Sequence, residues 1–424
     1  AVVTEVNQLL AELVAVKSVD VSIRKFPYAS LVFEEVFTAG ANSTEGDTLL
    51  YAEKIYFEFH LWNIFSDELN ISRISFETGS VKIIRPENGI PNYKIWKTDS
   101  ASADSQFTLE EVSFTNFKLF QYEEVVAQEL QAYVADLHFS GSFDKDNFSI
   151  ESNATMRIDS LIKNNVTYLH HLENTLAATI AGNSEQSTIS NGVLTLEGIT
   201  IEFDVAIDED EVLVSTKESN INLERIKSLN KTQDWGLPTD IDYAGQCRLY
   251  FKGSFVKNQP ADVSLGFKIL SPSSVSKDEI VIKDISCIGS YALKKGNEQI
   301  TVKEFRGNGK TGSIAGDLFI KNLESPLVVL NLKSDLAFEE WLIFSPSDTI
   351  SNPEGNVEID VHFENHFKSF QNIKPSELRR AKASGSIVMK EMNFGFKNSD
   401  KEIRDLNGIR EEVRLKARLD PLLT

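Results

Sequence analysis

Between Ile199 and Asp208 the chain reads Ile-Thr-Ile-Glu-Phe-Asp-Val-Ala-Ile-Asp, with an apolar side chain at every odd-numbered position. Side chains of an extended strand point alternately to opposite faces, so this order places Ile199, Ile201, Phe203 and Val205 on one face and Thr200, Glu202 and Asp204 on the other. The same period recurs at Val263, Leu265, Phe267 and Ile269, at Val357, Ile359, Val361 and Phe363, and at Cys247, Leu249 and Phe251. On a helix these residues would be spread around the axis, whereas on strands they form one greasy face. The simplest structure that satisfies all four stretches is a mainly β protein, a continuous antiparallel sheet with one apolar face.

Punctuation supports this reading. Asn191-Gly192, Lys295-Gly296-Asn297, Gly307-Asn308-Gly309 and Pro353-Glu354-Gly355 are turn sequences between alternating runs. Helix is expected only in an amphipathic N-terminal segment at 2–14 and in three short segments. These are 61–69, 222–229 and 334–344, the last with Ser334 or Asp335 as N-cap and Leu336, Trp341 and Leu342 inward. The 27 Phe against 3 Met fit half-buried pleated surfaces.

The chemistry-bearing residues give little. Net charge is −20, which disfavours non-specific nucleic-acid binding while leaving room for a local basic patch. His362 and His366 are four apart, but in a strand and without a helical Glu they do not make a metalloprotease site. His170-His171 is expected in a polar hairpin without ligand spacing beside it. No nucleophile elbow occurs, and Gly307-Asn308-Gly309-Lys310-Thr311-Gly312 lacks the first Gly of a phosphate loop and should lead into a strand. No catalytic residue, metal or cofactor is therefore assigned. Cys247 and Cys287, the only cysteines, either pair or sit as small apolar strand residues. No apolar run is long enough to span a membrane as a helix. The chain opens on Ala1 rather than Met, so a leader or anchor upstream is expected.

The apolar stripe is the one functional candidate. Periodicity alone fits a dry sandwich core, the simpler solution on pattern, and also an open trough that meets acyl chains.

The order of the first hundred residues resembles the N-terminal part of the AsmA family. The resemblance rests on Val6-Asn7-Gln8-Leu9-Leu10, on Phe26-Pro27 followed by Leu31-Val32-Phe33-Glu34-Glu35-Val36, and on Leu50–Ile55 leading to Leu61-Trp62-Asn63-Ile64-Phe65. It continues through 71–79 and closes with Asn92-Tyr93-Lys94-Ile95-Trp96. Stretches 312–332, 338–344, 355–367 and 385–396 are similar to the family's later strands. The resemblance implies an AsmA-like region at 1–98, with Phe26, Pro27, Asn92 and Tyr93 as motif positions. A continuing sheet at 99–408 and an irregular basic tail at 409–424 would follow. It further implies a long, curved antiparallel sheet with an apolar groove, in a periplasmic protein held to the bacterial inner membrane by an anchor that this sequence lacks. Partners would be phospholipid or another acyl lipid, and envelope proteins; the role would be non-enzymatic lipid handling in outer-membrane biogenesis. The resemblance favours the trough over the sandwich. The alternative role is a structural or regulatory envelope protein that binds a protein partner at an exposed sheet edge.

Overall fold

The computed structural model of the protein describes residues 13–24, 27–41, 48–60, 71–87, 90–95, 109–143, 147–183, 185–233, 238–257, 259–344, 349–370, 375–378, 380–397 and 399–411. Among them, alternation becomes strand almost everywhere: there are 22 strands and three helices. The chain divides into two compact units. Unit 1 is Ala1–Glu209 with Thr232–Trp235, and unit 2 is Asp210–Lys231 with Gly236–Thr424.

Unit 1 contains β1 (Val14–Ala15), β2 (Ser18–Ser22), β3 (Tyr28–Ala39), β4 (Thr48–His60), β5 (Arg73–Arg85), β6 (Glu111–Glu123), β7 (Gln128–Phe143), β8 (Phe148–Lys163), β9 (Val166–Gly182), β10 (Ser187–Leu196) and β11 (Ile199–Ile207). Consecutive strands pair antiparallel from β2 to β11, with one exception: β5 and β6 run parallel. A parallel neighbour needs a crossover, which residues 86–110 supply. Both β1 and β2 pair with β3.

Unit 2 contains β12 (Glu211–Thr216), β13 (Ser219–Asn222), α1 (Leu223–Gln233), β14 (Asp242–Val256), β15 (Asp262–Lys277), β16 (Ile280–Lys294), β17 (Asn297–Asn308), β18 (Ser313–Lys321), β19 (Leu327–Ala337), α2 (Phe338–Phe344), β20 (Ile350–His366), α3 (Pro375–Leu378), β21 (Lys382–Phe396) and β22 (Ser399–Glu411). Here β12 and β13 both pair with β14, and from β14 to β22 every sequential pair is antiparallel. Among the described residues neither unit brings its last strand back to its first, so the sheet is open and is not a barrel.

The helices differ in extent from the sequence expectation. Most of the 2–14 segment and all of 61–69 lie outside the described residues; Val14 begins β1. The middle helix α1 runs four residues further than expected, with Asn222 as its cap: Oδ1 of Asn222 accepts the Glu224 N–H at 2.8 Å. The expectation of helix from 334 is corrected. Residues 334–337 continue β19, because Ser334 to Ala337 stay paired with Ile359 to Asn356 of β20. Helix α2 starts only at Phe338, so neither Ser334 nor Asp335 caps it. Instead Glu340, third in the helix, reaches back to accept the Ala337 N–H at 3.0 Å, the carboxylate half of a capping box. The carboxylate also accepts the Lys310 N–H. Gly309 passes so close that a Cβ there would lie 2.5 Å from both Glu340 oxygens. The stretch with a phosphate-loop flavour is thus a turn between β17 and β18 whose N–H donor is taken by the protein's own carboxylate.

Candidate functional site

Cross-strand registers convert the sequence stripe into rows. In unit 1, Val19, Phe33, Ile55, Phe76 and Phe114 are successive partners from β2 to β6. The row continues through Leu137, Ala154, Leu176 and Leu194 to Ile201 on β11. Direct partners share a face, so ten strands contribute one unbroken apolar row. A flanking row runs through Leu31, Phe57, Ile74, Val112 and Phe139. Phe33, Val36, Ala52, Ile55, Phe117 and Val134 are the buried centre of this face, and the half-buried Phe76, Phe114 and Leu137 pack against them. The Phe76 and Phe114 rings are stacked at 4.5 Å, and Phe117 meets both edge-on.

This face stays apolar because its strands change phase together. In β3 the inward residues are Leu31 and Phe33, then Val36; in β6 they are Val112 and Phe114, then Phe117 and Leu119. The skipped residues Glu35, Glu53, Thr78, Asn116 and Ala135 fall between the same register pairs on five adjacent strands. Glu35, Thr78 and Asn116 adopt φ of 49°, 51° and 58°. Each skipped residue lies opposite another, so the pairing keeps its register on either side and the strands move their inward set by one residue together. Elsewhere the freed N–H of such a residue is taken by an Asp or Asn on the neighbouring strand: Asn191 by Asp204 at 3.1 Å, Glu304 by Asp317 at 2.9 Å, Glu391 by Asn407 and Asp405 by Asn393, both at 2.8 Å.

The residues named from sequence fall as follows. Ile199 is buried and Ile201, Phe203 and Val205 are half-buried, while Thr200, Glu202 and Asp204 are exposed. Phe203 lies opposite Gly192 and its ring fills the space a side chain there would take. In unit 2 the other two groups meet. Phe267, Gly289, Val302, Leu318, Leu330 and Phe363 are successive partners from β15 to β20. The Phe267 ring covers Gly289 in the same way. Val263, Leu265 and Ile269 flank Phe267 on that face. Val357, Ile359 and Val361 flank Phe363 opposite Leu336, Ser334 and Leu332. Helix α2 lies over one end of it, where Ile343 and Trp341 pack with Ile285, Ile314 and Leu336. Ser334 is the polar interruption, its Oγ buried without a hydrogen-bond partner.

Cys247, Ile269 and Cys287 are partners on three successive strands. Two strand spacings, roughly 9–10 Å, exceed the roughly 7 Å over which Cα atoms can be bridged. Both cysteines are free and buried, and burial pushes both thiols up.

Of the motif positions, Phe26 lies outside the described residues. Pro27 and Tyr28 line a depression of about 500 Å³ on the opposite, polar face. There Arg73 lies 4.5 Å from the Tyr28 ring centre and 3.3 Å from Glu111, and His138 sits between Glu111 at 3.3 Å and Asp136 at 3.2 Å. Asn92 acts as a latch. Its Oδ1 accepts the Ile84 N–H at 2.8 Å, and its Nδ2 donates to the Lys82 carbonyl at 2.6 Å. It thereby replaces β4, whose pairing with β5 ends at Val81. Tyr93 accepts from Arg85 Nε at 3.2 Å.

The histidines do not converge. His362 and His366 are both exposed on β20, and Nδ1 of His362 lies 2.7 Å from Asn331 Oδ1. His170 and His171 lie within β9, not at a hairpin tip; the preceding turn is Asn164-Asn165. The His170 backbone is held on both sides by the Gln233 amide, at 2.7 and 2.6 Å. Among the described residues no group of three or more His, Cys, Asp or Glu is placed to hold a metal ion, and no helix is long and apolar enough to cross a membrane.

Sequence reasoning missed the centre of the unit 1 face: Phe33, Ile55, Phe76, Phe114 and Leu137. Their signal was present as short period-two runs on either side of each phase change. No protein-family model matches the chain, and no curated protein or solved structure matches it.

Proposed function

We propose that this is a non-catalytic, AsmA-like envelope protein whose apolar sheet face carries the acyl chain of a phospholipid or a similar lipid. The observation that supports this reading most is the ten-strand row of unit 1, which is apolar at every position. An acyl chain leaving a bilayer loses about 0.8 kcal/mol per methylene exposed to water. An uninterrupted apolar row offsets that loss at each step from one strand to the next, and the headgroup stays in water. Such a role needs orientation and desolvation, not a reacting group. In the cell the protein would face the periplasm, anchored to the inner membrane.

The test uses the alternation itself. A photoreactive amino acid is placed singly at Ile201, Glu202, Phe203 and Asp204 of the protein purified without detergent, and crosslinked lipid is read by mass spectrometry. Positions 201 and 203 are expected to capture acyl lipid at several times the yield of 202 and 204. Equal yields at all four positions, or none, would count against an acyl-binding face.

A second reading is favoured by β2. Val19 and Val21 extend the apolar rows to the first strand of unit 1, and Val21 and Ile23 are 73% and 68% exposed. Among the described residues β2 pairs only with β3, so one backbone edge is available for a protein strand. Val21→Lys should then abolish capture of an envelope protein by crosslinking at Ser22 while leaving lipid yield at 201 unchanged. Loss of lipid alone would favour the first reading.

A further inference from the structure

The chain is strongly acidic, yet one stretch of the polar face of unit 2 is basic. Arg248, Lys268, Ile288 and Lys303 are successive partners on β14 to β17. A second row on that face runs through Lys252, Ser264, Ala292, Gln299 and Lys321 on β14 to β18. Between the two lies an uncharged row, Tyr250, Gly266, Ser290, Thr301 and Phe319. The three rows hold five cations, all exposed, and no carboxylate. Arg248 is paired with Glu218 at 3.2 Å, whereas Lys252, Lys268, Lys303 and Lys321 have no ion-pair partner among the described residues. Asp262, Glu304 and Asp317 stand at the margins. Oδ1 of Asp262 accepts the Lys295 N–H and Oδ1 of Asp317 the Glu304 N–H, both at 2.9 Å. Ile288 and Tyr250, each 43% exposed, stand among the cations, and the Tyr250 ring covers Gly266.

Elsewhere the chain sets lysines directly opposite carboxylates: Lys54 and Glu34 at 3.7 Å, Lys333 and Asp360 at 2.9 Å, Lys382 and Glu364 at 3.0 Å. Here Arg248 faces Lys268 instead, an arrangement that costs stability. By strand spacing the patch is roughly 19 Å wide from β14 to β18, and its two basic rows stand roughly 13 Å apart along β14. One small anion cannot span that, whereas an extended anionic surface meets all the cations at once. Exposed Ile288 and Tyr250 in their midst suit a partner with an apolar layer beneath its charges. We propose that this face docks on the surface of an anionic phospholipid bilayer. The lysine and arginine heads meet the headgroup phosphates while their stems, with Ile288 and Tyr250, lie at the level of the interface. Leu249, Phe267, Gly289 and Val302 alternate with these residues and face the other side of the sheet. Docking is therefore independent of the acyl-binding role of the apolar rows.

The experiment floats the whole protein with vesicles of phosphatidylglycerol and, separately, of phosphatidylcholine. Binding to phosphatidylglycerol alone is expected, and it should fall as salt is added. Lys268→Gln and Lys303→Gln should each weaken it about fivefold, the effect of one basic residue near an anionic surface, and the double variant about 25-fold. Lys54→Gln makes the same change in net charge at a lysine paired with Glu34 in unit 1, and should leave binding unchanged. All three lysines are exposed, so each variant should keep its fold. Equal flotation with both lipids would report the apolar face and overturn the proposal, as would equal losses in all three single variants. No flotation, together with binding of a polyglutamate peptide that Lys268→Gln weakens, would overturn the bilayer and assign the patch to an acidic protein. No binding of vesicles or peptide overturns the patch as a docking surface.

Discussion

Leu336→Asp is expected to leave unit 2 unfolded at 25 °C, whereas Phe267→Asp should leave it folded. Leu336 has no exposed surface and packs with Ile282, Ile285, Ile314 and Ile343 beneath α2. A carboxylate there has no cation within the cluster and no path to water, a cost of several kcal/mol against a typical stability of about 5–15 kcal/mol. Phe267 is half-buried on the same face. Its replacement loses the ring that covers Gly289, but the new carboxylate reaches solvent, so the cost should stay near the roughly 3–5 kcal/mol of a large aromatic truncation or below it. Circular dichroism and thermal melting separate the two variants. The comparison also bears on function: a folded Phe267→Asp protein should take up less acyl lipid than the parent. If Phe267→Asp fails to fold as completely as Leu336→Asp, the face is a closed core and the acyl-binding proposal fails.

The second large effect centres on Glu340, which is 2% exposed. Its carboxylate satisfies the N–H groups of Lys310 and Ala337, one in the β17–β18 turn and one at the start of α2. Glu340→Ala strands both donors in a buried place. At about 1–3 kcal/mol for each unsatisfied group, the total expected loss is about 2–6 kcal/mol. Glu340→Gln keeps one acceptor oxygen but turns an amide N–H₂ toward the other donor, so it should fall between Ala and the parent. Urea unfolding of the three proteins gives the order. Ala and Gln variants both within about 0.5 kcal/mol of the parent would show that the carboxylate is not the keystone of this corner.

These two sites differ in how legible they were. Phe267 stands in an alternating run, Val263 to Ile269, and alternation is a property of the strand itself: any sheet containing that run must put Phe267 on its apolar side. The importance of Glu340 was hidden. Its two donors lie thirty and three residues away, and the glycine-rich turn it binds read more readily as a failed phosphate loop. Helix α2 was found, but its start was placed too early, because the local preference of 334–337 gave way to pairing with a strand some twenty residues later.

By itself, the sequence determined the mainly β character of the protein, the alternation of its strands, the turn at Lys295-Gly296 and the facing of the residues around Ile201, Phe267 and Phe363. All of these follow from backbone geometry over fewer than about ten residues. Asn191-Gly192 and Pro353-Glu354-Gly355, expected as turns, are instead irregularities within β10 and β20. Tertiary structure alone decided which strands are neighbours. It made β5 and β6 parallel and separated Cys247 from Cys287 by the strand that carries Ile269. It also aligned the phase changes at Glu35, Glu53, Thr78, Asn116 and Ala135, so that ten strands present one continuous apolar row. The physical reason is that a phase change reads as noise within its own strand. It keeps one face apolar only when the residue opposite it changes phase as well, and the register between strands decides that.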